Sequence, residues 1–191
     1  MKAGVYGGTF DPVHNGHLIT AMAVQELRNL DKIIFIPSYI APHKIGKQRS
    51  SSLHRIEMLK LAIEGIPFFD YSQFEIEKKG VSYTIDTLKY LKNEYDEIEL
   101  IVGYDNLLEF KTWKEPDVIL KLVKLVVLNR KVAEKPAEKD RFYYAAEIIN
   151  TPTIDINATE IRKRVRENKP IKFLVPDAVM EYIYRFNLYK D

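Results

Sequence analysis

Two histidines, His14 and His17, stand three residues apart just after Gly7-Gly8-Thr9-Phe10-Asp11-Pro12, and they are half of the four histidines in the chain. At that spacing the two rings share a face if the turn is helical. Imidazoles beside a phosphate donate hydrogen bonds and neutralise developing charge. Paired glycines let the backbone turn sharply and let a ligand come close to its N–H groups. The run that follows, Leu18 to Leu30, has helical spacing, so a helix N-terminus with unpaired N–H donors and a positive dipole end is expected beside the glycines. Taken alone, Gly7 to Leu18 says that the chain holds a phosphate with backbone amides, Gly16 included, and imidazoles. A divalent metal is the rival use for two such histidines. Neither cysteines nor a nearby His-Glu set completes that coordination, so no protein-held metal is expected.

Other residues carry chemistry with weaker signals. Gly103 ends the apolar run Ile98-Glu99-Leu100-Ile101-Val102, where backbone must come near a ligand. Asp105, just beyond, can accept from a ribose hydroxyl or orient a metal-bound water. Arg130 follows the buried-strand run Leu125–Leu128 and is a candidate phosphate ligand. Lys44 lies in a polar, basic loop after Pro37 and can reach a phosphate as a point charge, although most such loops are simply solvated. Thr84 has the residue type of an N-cap for the amphipathic run that follows it. Asn157 and Glu160 have the spacing of a capping box, with Thr159 and Arg162 as side-chain donors at that helix start. Trp113, the only tryptophan, reads first as packing.

The stretch GGTFDPVHNGH resembles the signature of the HxGH nucleotidyltransferases, and within them that of the bacterial nicotinate-nucleotide adenylyltransferases. Pro42-His43-Lys44 resembles that family's substrate-phosphate segment. Ser82-Tyr83-Thr84 with Thr87-Leu88 resembles the segment that meets the pyridine carboxylate. The G-x-D…F-x-x-W arrangement ending in Trp113 resembles the one whose indole stacks on the nicotinate ring. Ile156-Asn157-Ala158-Thr159-Glu160-Ile161-Arg162 resembles the second signature, with Asn157 where the family normally has Ser. The resemblance spans essentially the whole chain.

It implies adenylyl transfer from ATP to nicotinate mononucleotide, giving deamido-NAD and diphosphate. The implied ATP site is Gly7, Gly8, Thr9, Phe10, His14, Gly16, His17, Gly103, Asp105, Asn157, Thr159 and Arg162, with His14, His17 and Arg162 catalytic. The implied mononucleotide site is Lys44, Tyr83, Thr84, Trp113 and Arg130. Magnesium is expected with the ATP phosphates, largely through waters. Two alternatives stay open: another acceptor (nicotinamide mononucleotide, pantetheine phosphate, or a CTP-using relative) and a binding module without turnover.

The elements that must position these groups read as strand, helix, strand from Lys2 to Pro37, a unit that implies parallel strands. Leu53 to Glu64 has a helical stripe. Tyr71 to Glu77 reads as a strand, and Ile85, Leu88, Leu91 and Tyr95 mark another helix. Pro116 to Val123 reads as a short helix, Tyr143 to Asn150 contains a further strand, and a last helix opens at Val175-Pro176-Asp177. The expected fold is α/β: a Rossmann-like open, mainly parallel sheet with helices on both faces, as one domain over residues 1–191. The net charge of +2 gives no electrostatic case for nucleic acid or a membrane surface. No run reaches the length of a membrane span. The absence of cysteine fits a reducing compartment, and the expectation is a cytoplasmic protein. Oligomeric state is not encoded in any pattern here.

Overall fold

The computed structural model describes residues 1–40, 49–129 and 139–190. Strand β1 (Lys2–Gly8) pairs in parallel with β2 (Lys32–Pro37) on one side and with β4 (Glu97–Gly103) on the other. Beyond them lie β3 (Phe69–Tyr71), β5 (Lys124–Asn129) and β6 (Glu147–Asn150), giving the order β3-β2-β1-β4-β5-β6 with every pairing parallel. The order reverses between β1 and β4. That is where an open parallel sheet leaves a crevice at its carboxyl edge.

Alternation along the strands sorts two cores. On one face Tyr6, Ile33, Phe35, Ile101 and Leu128 pack under α1 (Asn15–Arg28), α2 (Ser52–Ile63), α8 (Ala158–Arg166) and α9 (Asp177–Arg185). On the other, Val5, Ile34, Ile36, Leu100 and Val127 pack under α4 (Thr84–Leu91), α5 (Tyr104–Glu109), α6 (Pro116–Leu122) and α7 (Arg141–Ala145). Helices therefore cover both faces, as the βαβ pattern predicts. Gly4 has a steric reason: a Cβ there would fall 2.7 Å from Leu30 and 2.8 Å from Ile33 and Ile101.

Four expectations change. Tyr71 to Glu77 is not one strand. Pairing ends at Tyr71, and Phe74–Lys78 forms the short helix α3. The alternation of Phe74 and Ile76 mimics a strand, but the helical turn stacks Phe74 on Tyr90 at 4.4 Å and buries Glu75. Helix α1 starts at Asn15, three residues before the apolar spacing shows it. The N-cap of α4 is Tyr83, so Thr84 is its first helical residue. Gly7 and Gly8 are the last residues of β1, and neither has a positive φ; the left-handed residue of the turn is Phe10, at φ 49°. The glycines thus serve close approach rather than the turn itself. Gly7 has open space around it, whereas a Cβ on Gly8 would meet the Phe10 ring at 2.8 Å.

Candidate active site

A cleft of about 480 Å³ opens at the carboxyl edge between β1 and β4. Gly7, Gly8, Thr9 and His17 form one wall; Gly103, Asp105, Trp113, Tyr83 and Thr84 form the other. The sequence places these residues at strand ends and helix starts, and the reversal of strand order brings the two sets face to face.

The histidine wall is built by mutual capping. His14 is the N-cap of α1, in extended backbone, and His17 is its third residue. The His17 amide lies beside the His14 ring and donates to the His14 carbonyl at 2.9 Å, and the His17 ring accepts from the His14 amide through Nδ1 at 3.3 Å. This is a capping box made of two imidazoles. The His17 ring commits Nδ1 as an acceptor, so in its neutral form it carries its proton on Nε2 and is a donor there. The rings stack with centroids 3.6 Å apart and planes at 22°. His17 lies edge-on to Phe10 at 5.0 Å and to Tyr6 at 6.1 Å. His14 is only 4% exposed and faces a small crevice with Gly16 and Ile154, away from the main cleft. Gly16 leaves room for that ring, since a Cβ there would lie 3.1 Å from His14 Nδ1.

Arg162, from the first turns of α8, reaches the signature turn directly. Its Nη1 donates to the Asp11 carbonyl at 2.7 Å and its Nη2 to Thr159 Oγ1 at 3.2 Å. Asn157 caps α8, with Oδ1 accepting from the Glu160 amide at 2.8 Å. Asn therefore performs the capping task at the position where Ser was expected. Asn157, Thr159 and Arg162 flank the turn and do not line the main cleft. Phe10 contributes no side chain to the cleft: its ring is 2% exposed and packs on Tyr6 and Phe35. Its backbone is the part left to meet a ligand.

On the opposite wall, Trp113 is half-buried and packs on Phe110 at 5.0 Å. Its Nε1 is buried without a hydrogen-bond partner. Lys114 holds its ammonium 4.6 Å over the Tyr83 ring, a cation–π contact, and lies 3.6 Å from Asp86. Asp105 is exposed in the first turn of α5. Lys44 and Arg130 lie outside the described residues.

Three residues of the site region escape sequence reasoning. Glu75 lines the cleft, 9% exposed, and accepts from Thr87 Oγ1 at 2.7 Å. Burial pushes its carboxyl up, against hydrogen bonds from Ser82 and Thr87 that pull it down. Ser82 Oγ in turn accepts from the Tyr39 amide at 2.9 Å, tying the end of β2 to the start of α4. Arg55 is fully buried beneath the signature turn, and Tyr189 reaches Asp11 from the far end of the chain. A buried charge has no period. The one available signal was the Thr87 hydroxyl in the Ser82–Leu88 segment, which required an acceptor nearby.

Among the described residues, no three His, Cys, Asp or Glu side chains group as a metal cage. The cleft's donors are backbone amides, hydroxyls, the His17 ring and the Lys114 ammonium, with Asp105 and Glu109 as its exposed carboxylates. That set fits a magnesium ion carried by phosphates and water, which needs few protein ligands.

A parallel sheet with this strand order, a crevice at its reversal and a histidine-capped helix start at that crevice define a nucleotidyltransferase. Residues 5–164 match the cytidylyltransferase-like family. A protein of Caldicellulosiruptor bescii named a probable nicotinate-nucleotide adenylyltransferase is 43% identical, over all of both chains. One from Thermoanaerobacter sp. with the same name is 40% identical, over all of this chain and 95% of its own. The fold of Plasmodium falciparum nicotinic acid mononucleotide adenylyltransferase, solved in complex with NaAD, superposes with a TM-score of 0.77 at 20% identity, covering 98% of this chain and 97% of the other. The chain belongs to the nicotinate-nucleotide adenylyltransferase family within the cytidylyltransferase-like proteins. Among the described residues, no helix is long and apolar enough to cross a membrane.

Proposed function

We infer that the protein joins the AMP moiety of ATP to nicotinate mononucleotide, releasing diphosphate and forming deamido-NAD. The observation that carries this reading is the pairing of the two cleft walls. A histidine-capped helix start faces an indole and the start of α4 across a space sized for a dinucleotide.

The nucleophile is a phosphate oxygen of the mononucleotide, already ionised at neutral pH. It attacks the α-phosphorus of ATP, and the bond to the diphosphate breaks. No general base and no covalent enzyme intermediate is needed. The work left to the protein is alignment of two anions and stabilisation of charge on the α-phosphate and the leaving diphosphate. The amides of Gly8 and Thr9, the ring of His17 and the helix start of α1 are assigned to the triphosphate. His14 supports His17 by stacking and by capping the helix start. Arg162 and Thr159 approach from α8. Trp113 is assigned to the pyridine ring and the Tyr83–Thr84 helix start to its carboxylate. Lys44 and Arg130 are assigned to the mononucleotide phosphate on the strength of their place in the sequence. A magnesium ion carried by the ATP phosphates and water would supply charge neutralisation there, with Asp105 and Glu109 as the exposed carboxylates of the cleft. A cytoplasmic setting belongs to the same reading.

The test is a side-by-side rate measurement of diphosphate release from ATP with nicotinate mononucleotide and with nicotinamide mononucleotide. Faster turnover with the acid is expected. Faster turnover with the amide overturns the acceptor assignment, and tight ATP binding without any release overturns the reaction.

A further inference from the structure

We propose that Asp11, Arg55 and Tyr189 form a positioning cluster that fixes the Thr9–Asp11 turn and, through the Asp11 carbonyl, the guanidinium of Arg162. The proposal rests on the adenylyl-transfer reading for what the turn does. The cluster itself stands on its own contacts.

Asp11 is 4% exposed, yet both its carboxylate oxygens are matched to donors. Oδ1 accepts from the Tyr189 hydroxyl at 2.8 Å, and Oδ2 accepts from the Ser50 amide at 3.1 Å. Its backbone carbonyl takes the Arg162 bond at 2.7 Å. One residue earlier in the same turn, Phe10 is buried in a left-handed conformation. One further back, the Thr9 carbonyl accepts from Arg55 Nη1 at 2.8 Å. Arg55 is fully buried, and its Nη2 contacts Ser52 Oγ at 3.3 Å. Four separate pieces of chain thus grip Thr9 and Asp11 on either side of Phe10: the approach to α2, α2 itself, α8 and the C-terminal tail. A turn held only by its own hydrogen bonds would not need a buried arginine and a buried aspartate.

The charges are mutually compensating. Burial lowers the Arg55 guanidinium, and the charge of Asp11 opposes that shift. Burial likewise pushes the Tyr189 phenol well above its ordinary range, with Asp11 adding to the effect. The phenol therefore keeps its proton at every physiological pH and stays a donor to Asp11. The tail is bent to deliver it: Asn187 and Tyr189 both hold left-handed φ, 50° and 66°. Two such non-glycine residues within three positions persist only where surrounding contacts fix them. The Tyr189 ring also packs on the core side, with its hydroxyl 3.8 Å from Met58 Sδ. The hydroxyl is the part with no packing purpose.

None of the three is a catalytic residue. Each acts through the turn, whose amides and carbonyl set the spacing between the β1 end and Arg162. Displacement by a fraction of an ångström at such a site is costly to rate while leaving substrate contacts elsewhere intact.

The test is Tyr189→Phe in the full chain, which removes one oxygen and keeps the ring. We expect kcat to fall about tenfold, the KM for nicotinate mononucleotide to stay within about twofold, and the melting temperature to change little. Asp11→Asn is made alone and in combination. If Tyr189 works through Asp11, the double variant is no slower than Asp11→Asn, a non-additivity that separate roles do not produce. Unchanged kcat in folded Tyr189→Phe overturns the proposal, and so does additivity. Should Asp11→Asn not fold, Tyr189→Phe decides by itself. ATP affinity, measured by calorimetry on the same proteins, separates this proposal from the functional reading. If wild-type protein shows no turnover, that reading fails, and the cluster is judged by whether Tyr189→Phe weakens ATP binding; equal affinity overturns it.

Discussion

At His17, the capping contact and the proposed catalytic role fall on one ring. Nδ1 accepts from the backbone of His14, so the neutral ring carries its proton on Nε2, the nitrogen that the proposed function assigns to the triphosphate. His17→Ala therefore has two separable consequences. Loss of the capping-box bond to the His14 amide lowers stability by about 1 kcal/mol. Loss of the donor lowers turnover by about 100- to 1,000-fold, the range for removing one preorganised donor to developing charge. Steady-state diphosphate release on protein shown to be folded by circular dichroism checks both. Near-normal kcat in folded His17→Ala would remove the ring from the mechanism. The spacing of His14 and His17 was legible in the sequence because it is a helix period. Its reason was not: the three-residue separation is the N-cap-to-N3 distance, so the pair would be needed to start α1 even before any substrate arrives.

The elements that carry the site were legible where a period ran long enough. The stripe Ile85, Leu88 and Leu91 marks α4, and all three side chains are buried. Val179 and Ile183 mark α9 in the same way. The segment from Tyr71 to Glu77 failed because five helical residues are too few to separate a 3.6 period from alternation. The start of α4 failed by one position because Thr84 has the chemistry of a cap, while the observed cap, Tyr83, makes no side-chain capping bond. The start of α8 succeeded: Asn157 both reads and acts as a cap. That helix start fixes Arg162, so a change in the cap should reach the reaction. Asn157→Ala is expected to cost about 1 kcal/mol, or roughly 2–4 °C in melting temperature for a chain of this size. It should also lower kcat more than it raises either KM, because Arg162 stands one turn beyond the freed end. Asn157→Ser keeps a side-chain acceptor and should leave both near wild type. Thermal melts with paired kinetics separate the outcomes, and an unaltered kcat in Asn157→Ala would show that Asp11 and Thr159 hold Arg162 without help from the cap.

Across the whole molecule, two buried glutamates pull stability in opposite directions as pH changes, one at each end of the sheet. Glu99, 1% exposed at the amino end of β4, accepts from Arg28 Nε at 2.8 Å and pairs with Lys2 Nζ at 2.9 Å. Burial alone would push its carboxyl up, but the hydrogen bonds and charges of Arg28 and Lys2 outweigh burial and hold it below its ordinary value of 4.5. Its contribution is therefore complete above that value and is lost as pH falls through the lower folded value. Glu75, at the carboxyl end, is raised by burial. Its ionised form costs stability above the folded value, and protonation on acidification relieves that cost. Glu99→Gln should destabilise by about 1–3 kcal/mol at pH 7, because the part-buried Arg28 and Lys2 lose a shared charge partner while Arg28 keeps Glu147. The difference from wild type should shrink as pH drops below about 4. Glu75→Gln should show the reverse, a gain at pH 7 that fades on acidification, because the amide already resembles the protonated acid and can still accept from Thr87. Urea denaturation of both variants at pH 7 and at about pH 3.5 measures the two signs. The same sign for both variants would contradict the assignment. The asymmetry follows the sheet: the stabilising carboxylate stands away from the cleft, and the costly one lines it.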